Sequence, residues 1–226
     1  MKTSVPRTRR WFAAWICALA CAAPMLAAHA QVDPNLSLNA QLLVSARQND
    51  IAAVKRLLAQ GAVPNSRNRL GKTPLLLACE KDNVALAELM LSNRADASIA
   101  SLEGVTPLMA ASYAGNAELV RRLLAAGVRT DPVDRMHKPA IVYAAGQGHA
   151  GAVEALLESG IDVDATYENR LTVLMWAAGQ GHGNVVKLLL ERGAKADLRD
   201  DRGMSALDIA RQSQQRDAIE LLDRVK

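Results

Sequence analysis

An internal repeat constrains the fold of this chain more than any other feature of its sequence. The segment Gly71–Leu75 (GKTPL) returns as Gly104–Leu108 (GVTPL), and the register continues along the chain. A fixed period of about 33 residues is the signature of a stack of similar structural units, none of which can bury its apolar face alone. The same spacing, with no insertion between positions 49 and 223, separates Leu57-Leu58, Met90-Leu91, Leu123-Leu124, Leu156-Leu157 and Leu189-Leu190, with Leu222 continuing the series.

Each unit carries the signals of two short helices. Residues with side-chain oxygens precede an Ala-rich turn, and glycines that tolerate left-handed geometry follow each apolar segment. The predicted N-caps of the first helices are Thr73, Thr106, Thr172 and Ser205, with Pro74 and Pro107 at the first helical position. The predicted terminators are Gly115, Gly148 and Gly181 for the first helices, and Gly61, Gly127, Gly160 and Gly193 for the second.

These residues resemble the ankyrin repeat family. The pattern G-x-T-P-L-x-x-A, then G-H, then V-V-x-L-L-L-x-x-G-A appears almost whole in residues 71–95 and 170–194. The resemblance covers nearly all of residues 38–226 and implies an all-α repeat solenoid, in which helix-turn-helix units are joined by β-hairpin loops. We expect about six units including caps: an N-cap repeat (38–67), four full repeats (68–100, 101–133, 134–166 and 167–199) and a C-cap repeat (200–226).

Two of the full repeats depart from this pattern. His137 and Arg170 stand where other repeats place the hairpin glycine, and Pro139-Ala140 replaces one Thr-Pro entry. A side chain at a position that glycine normally fills strains a left-handed backbone. We therefore predict that these two turns are built differently from the others or carry strain.

The segment 1–30 has the organisation of a signal peptide. A basic region ends at Arg10, an apolar stretch runs from Trp11 to about Ala23, and residues 28–30 (Ala-His-Ala) form a cleavage site before Gln31. We expect residues 31–37 to be a short linker and the mature protein to be periplasmic or secreted, without stable membrane insertion. An uncleaved anchor, a twin-arginine leader around Arg9-Arg10 and a lipoprotein signal ending at Cys21 remain alternatives, so the export route and lipidation of Cys21 stay open.

The formal net charge of +4 belongs to this leader. Residues 1–30 hold four of the 27 basic residues and no acid, which leaves 23 basic residues against 23 acidic ones. A neutral chain lacks the basic surplus that nucleic-acid binding needs. We therefore expect no nucleic-acid partner.

Several residues could suggest a cofactor, metal or catalytic site, but each fits a structural role once it is placed in the repeat. Gly146, Gly148 and Gly151 spell G-x-G-x-x-G, but they follow a helix rather than a strand, which excludes a dinucleotide fingerprint. His149 and His182 occupy equivalent positions one repeat apart, where the family uses His to bond the turn backbone. Cys79, the one cysteine outside the leader, falls at a small buried position. We predict no catalytic residue, no cofactor and no metal, and therefore no enzyme.

The remaining hypothesis is a protein-binding module. The resemblance implies a concave face made of hairpin tips and the exposed side of the first helices, and several apolar residues fall there without being needed for packing. The predicted protein-binding residues are Leu102, Val105, Tyr113, Arg135, Met136, Lys138, Tyr167 and Leu171. The resemblance also leaves open an alternative, a scaffold or protective factor for a periplasmic enzyme, including one in peroxide defence. The sequence identifies neither the partner nor the oligomeric state.

Overall fold

The computed structural model describes residues 37–225 of the chain. Within that range twelve α-helices form six consecutive pairs, and the first helices of neighbouring pairs pack against one another along the stack. This is the repeat solenoid that the sequence predicts. The helices are α1 (Leu38–Arg47), α2 (Ile51–Ala59), α3 (Pro74–Glu80), α4 (Val84–Ser92), α5 (Pro107–Ala114), α6 (Ala117–Ala125), α7 (Ala140–Gly146), α8 (Ala150–Glu158), α9 (Val173–Gln180), α10 (Gly183–Glu191), α11 (Ala206–Gln212) and α12 (Arg216–Asp223).

The first helices begin at the predicted caps. The Thr73 hydroxyl accepts a hydrogen bond from the backbone N–H of Leu76 at 3.2 Å, which satisfies a donor that has no partner inside the helix. Thr106, Thr172 and Ser205 make the equivalent bond to Met109, Met175 and Asp208. Helix α7 is the exception, because Pro139 precedes it and has no side chain that can accept a bond.

The core draws on both helices of each pair, and one row of it lies on the second helices at the same place in every unit. Each member of this row is at most 2% exposed. The row consists of Leu57, Met90, Leu123, Leu156, Leu189 and Leu222. The small side chains of Cys79, Ala145 and Ala178 are fully buried at equivalent places on the first helices, as predicted.

Tight turns project from the stack between units, at residues 68–72, 101–105, 134–138, 167–171 and 200–204. Each is closed by a backbone hydrogen bond from its first residue to its fifth, as from Ser101 N–H to the Val105 carbonyl at 2.9 Å. Between residues 37 and 225 the hairpins form no extended strand, and one isolated bridge joins Thr166 to Thr172. The hairpin loops of the sequence interpretation are therefore short turns.

The turns around His137 and Arg170 carry the strain that the sequence predicts. His137 adopts φ +53°, while Asn169 and Arg170 adopt +58° and +56° in succession. Side chains with a Cβ atom rarely occupy this left-handed region, although Asn tolerates it better than most. The fourth full repeat thus turns on two consecutive left-handed residues and the third on His137, whereas the turns at 68–72, 101–105 and 200–204 use glycine.

Backbone hydrogen bonds link the tips of neighbouring turns, with one interruption. The N–H groups of residues 102, 135 and 201 donate to the carbonyls of residues 70, 103 and 169 at 2.9–3.1 Å. The equivalent bond from Glu168 N–H to the Met136 carbonyl is absent from this described part of the chain. Instead, the His137 ring lies 3.7 Å from the Glu168 carboxylate. The interruption falls between the two turns that lack glycine.

Candidate protein-binding face

The predicted binding residues belong to one surface, which we call the tip face. It consists of the five turns and of two rows of side chains on the first helices, each row following the period of the sequence repeat. The inner row is Leu77, Ala110, Tyr143, Trp176 and Ile209. The outer row is Glu80, Tyr113, Gly146, Gly179 and Gln212.

Three large apolar side chains of the predicted set are exposed on the tip face. Leu102 is 59% exposed, Met136 60% and Tyr113 55%. Leu70, which sequence reasoning left out, is 59% exposed as well and occupies the same turn position as Met136. The repeat register was the signal that could have identified it.

Other predicted residues are less accessible. Arg135 is exposed, but Val105, Lys138, Tyr167 and Leu171 are half-buried, and the three of these that are apolar pack against the core. Tyr167 stands where the other turns place Asn, Ser or Asp, and because it is half-buried only part of its ring is accessible to a partner. Burial raises the pKa of Tyr167 to about 12.

A groove lies at the centre of the tip face, over Ala110. Its volume is about 330 Å³, and Glu80, Val105 and Met109 line it together with Ala110, Tyr113 and Tyr143. The two tyrosine rings meet edge to face, with centroids 6.0 Å apart and an interplanar angle of 76°. This arrangement is one that aromatic pairs prefer, so the two rings form a stable wall.

Asp134 fixes one ring of this wall. Its carboxylate accepts hydrogen bonds from the backbone N–H groups of Met136 and Lys138, both at 2.9 Å, and from the Tyr143 hydroxyl. Burial and the bond to Asp134 raise the pKa of Tyr143. The third turn is thereby tied to α7, and sequence reasoning missed this contact because it joins residues that carry no shared motif.

A cation–π contact joins the next pair of repeats. The Lys138 ammonium lies 4.8 Å from the centre of the Trp176 ring, within the distance at which the ring quadrupole attracts a cation. The indole Nε1 of Trp176 is buried and has no hydrogen-bond partner among the described residues. Trp176 is therefore partly covered from within the chain.

The first three repeats give the tip face a positive surplus. Lys72 pairs with Glu80 at 2.7 Å. Arg69, Arg135 and Glu103 make no ion pair and no side-chain hydrogen bond within residues 37–225. In the turns and rows between residues 68 and 146 the cations are Arg69, Lys72, Arg135 and Lys138, and the acids are Glu80, Glu103 and Asp134.

The histidines hold repeats together. His149 Nε2 lies 3.0 Å from the Tyr113 carbonyl, and His182 Nε2 lies 2.9 Å from the Gly146 carbonyl, so each ring N–H donates to the preceding repeat. Each ring also covers a left-handed glycine, Gly115 or Gly148, where a Cβ atom would collide with it. These contacts agree with the structural role that the sequence suggests.

The titratable side chains of the same range point to no other kind of site. Among residues 37–225, no group of three or more His, Cys, Asp or Glu side chains is placed to hold a metal ion. Burial raises the pKa of the Cys79 thiol, which disfavours the reactive thiolate. None of the helices described has the length and apolar character that a membrane crossing requires.

Comparisons with known proteins agree with this architecture. A family model described as ankyrin repeats (3 copies) matches residues 42–134, 84–167 and 141–224. The crystal structure of EF0377, an ankyrin repeat protein, is 27% identical in sequence and superposes with a TM-score of 0.74, covering 82% of this chain and 98% of that one. No curated protein matches the chain.

Proposed function

The chain belongs to the ankyrin repeat family, and from this premise we propose that it is an exported interaction module that holds a partner protein on its tip face. Ankyrin repeats are generic protein–protein interaction modules, and their fold is typically a binding module without catalysis. The family resemblance predicts that the tip face is concave. What this chain adds is the identity of the side chains that it exposes there.

One observation carries the proposal: exposed apolar side chains stand on neighbouring turns. The backbone bond from Leu102 N–H to the Leu70 carbonyl, 2.9 Å long, brings the first two tips together, and Met136 follows on the third. Tyr113 adds an exposed ring behind them. None of these four side chains is needed to fill the core, and clustered exposed apolar residues mark interaction sites.

Two substitutions test the tip face, once a partner has been captured from an extract of the exporting cells. Tyr113→Ala and Met136→Ala should each weaken binding about thirtyfold, the loss expected when an interface anchor worth about 2 kcal/mol is removed. Their melting temperatures should stay close to that of the parent chain, because both side chains are more than half exposed. Affinity by calorimetry and melting by circular dichroism are the two measurements.

Val63→Ala is the matched control, because Val63 is 50% exposed and lies outside the tip face. Its affinity should equal that of the parent chain. Unchanged affinity in both tip-face variants, or loss of binding in Val63→Ala, would place the partner elsewhere.

Export is the second part of the proposal, and it rests on residues 1–30, which lie outside the described residues. We propose that cleavage after Ala30 releases the protein into the periplasm or the medium. The intact mass of the exported protein should correspond to a chain that starts at Gln31. A mass that includes residues 1–30, or a lipid on Cys21, would contradict this.

A further inference from the structure

We propose that the groove over Ala110 is an anchor pocket, and that it receives one apolar side chain from an extended acidic segment of the partner protein. This inference rests on the proposed function, because it assumes that a partner binds the tip face. It goes further by naming the point of insertion and the chemistry of the segment that enters.

The groove exists because one residue of the inner row is small. Four members of that row are Leu, Tyr, Trp and Ile, and the fifth is Ala110. Leu77 and Ile209, at the equivalent places, are 6% and 8% exposed, so larger side chains fit this position in the stack. The small side chain of Ala110 thus leaves a space that a larger residue could occupy at this position.

The walls of the gap are apolar except at Glu80, and they are held in place. Val105 and Met109 contribute aliphatic surface, and Tyr113 and Tyr143 meet edge to face beside them. The hydrogen bond from Tyr143 to Asp134 fixes the inner ring. A volume of about 330 Å³ lies at the lower end of the range for ligand pockets, which suits a single side chain better than a larger molecule.

The surface next to the groove leaves room for a main chain. Gly146 follows Tyr113 in the outer row, and a Cβ atom at Gly146 would meet nothing within 4 Å. Its φ is not left-handed, so the backbone does not require glycine, and glycine in a helix is about 0.5–1 kcal/mol less stable than alanine. We infer that the segment passes over Gly146 as its side chain enters the groove.

Charge selects an acidic segment. Arg69 and Arg135 stand at equivalent positions on the turns before and after the one that contributes Val105, and neither side chain has a partner in the described range. The acid that lines the groove, Glu80, is already paired with Lys72. The Asp134 carboxylate is buried and accepts three hydrogen bonds. Glu103 is therefore the one acid at these positions of the first three full repeats whose side chain has no partner in the described range, and it would oppose the segment.

The probe is a displayed library of random dodecapeptides, selected against the purified chain. We expect the selected peptides to share one large apolar residue flanked by Asp or Glu. Their affinity should fall at least about thirtyfold for Ala110→Leu, which fills the groove as Leu77 fills its own position. Ala110→Met gives a more adaptable filling if the leucine variant melts at a lower temperature.

Ala125→Leu is the matched control. It adds the same atoms to an exposed alanine on the second helix of the same repeat, so peptide affinity should not change. Arg135→Ala should weaken peptide binding and make the affinity less dependent on salt. Glu103→Gln should strengthen peptide binding.

Three results would contradict the proposal of an anchor pocket. They are a selection that returns no binding peptides, peptides that are basic rather than acidic, and peptides whose affinity survives both fillings of the groove. The failure of the pocket can be distinguished from the failure of the proposed function. If the captured partner is lost in Tyr113→Ala but retained in Ala110→Leu and Ala110→Met, the tip face binds the partner and the anchor pocket is wrong.

Discussion

The buried row of the second helices and the inner row of the first helices have the same spacing but opposite character. The buried row is Leu in five units and Met in one, whereas the inner row holds a different residue in every unit. Close packing explains the first, because each buried side chain must fit the same hole between neighbouring units. The inner row borders the tip face, where Tyr143 and Trp176 are half-buried and the other members are 6–8% exposed, so its residues are freer to differ. In a stack of similar units, variation therefore points to recognition and uniformity to packing.

Truncating the buried row should have the largest effect on folding. Leu123→Ala removes a fully buried side chain from the middle of the stack, and we expect a loss of about 2–5 kcal/mol in the free energy of unfolding. Urea denaturation followed by circular dichroism measures it. Tyr113→Ala, in the same repeat, should cost far less. Equal losses in the two variants would break the distinction between the buried row and the tip face, to which Tyr113 belongs through the outer row.

A substitution in the inner row should have an intermediate effect on stability where it removes a specific hydrogen bond. Tyr143→Phe removes the hydroxyl that donates to the buried Asp134 carboxylate, and hydrogen bonds to charged groups contribute about 1.5–3 kcal/mol. Denaturation at neutral pH should reveal this loss. A stability equal to that of the parent chain would show that Asp134 is satisfied by its two backbone donors alone.

Tyr143→Phe also tests how the stability of the chain depends on pH. The pKa of Tyr143 is higher in the folded chain than the ordinary value near 10, so the unfolded chain loses its proton first. The stability that Tyr143 contributes is therefore fully present below about pH 10 and falls as the pH rises above it. Tyr143→Phe should reduce this alkaline loss, and what remains should include the contribution of Tyr167, between about pH 10 and about pH 12. Unfolding curves at closely spaced pH values provide the comparison.

The smallest effect should come from the outer row. Gly146→Ala adds a methyl group in open space on a helix, so the chain should become more stable by about 0.5–1 kcal/mol. Peptide binding should weaken at the same time if the segment passes over this point. A gain in stability without a loss in affinity would show that the glycine has no part in binding.

Local signals explain how much of the fold could be predicted. Caps, glycine terminators and apolar spacing act within one unit, so the helices that begin after Thr73 and Thr106 and the buried row follow from sequence alone. The bond between Tyr143 and Asp134 and the groove over Ala110 depend on which side chains of a unit and its neighbours meet. The burial of Tyr167 and Leu171 has the same origin, because neither position differs in local pattern from an exposed turn residue.

The interrupted link between Met136 and Glu168 has a consequence for how cooperatively the stack unfolds. Each unit is stabilised by its neighbours, so the coupling at each interface sets how far a local opening spreads. The interface between residues 134–166 and 167–199 lacks one backbone bond that the other linked tips have, a difference of about 0.5–1.5 kcal/mol. Amides of the last two units should therefore exchange with solvent as a group of their own, at a lower free energy of opening than those of the units before them.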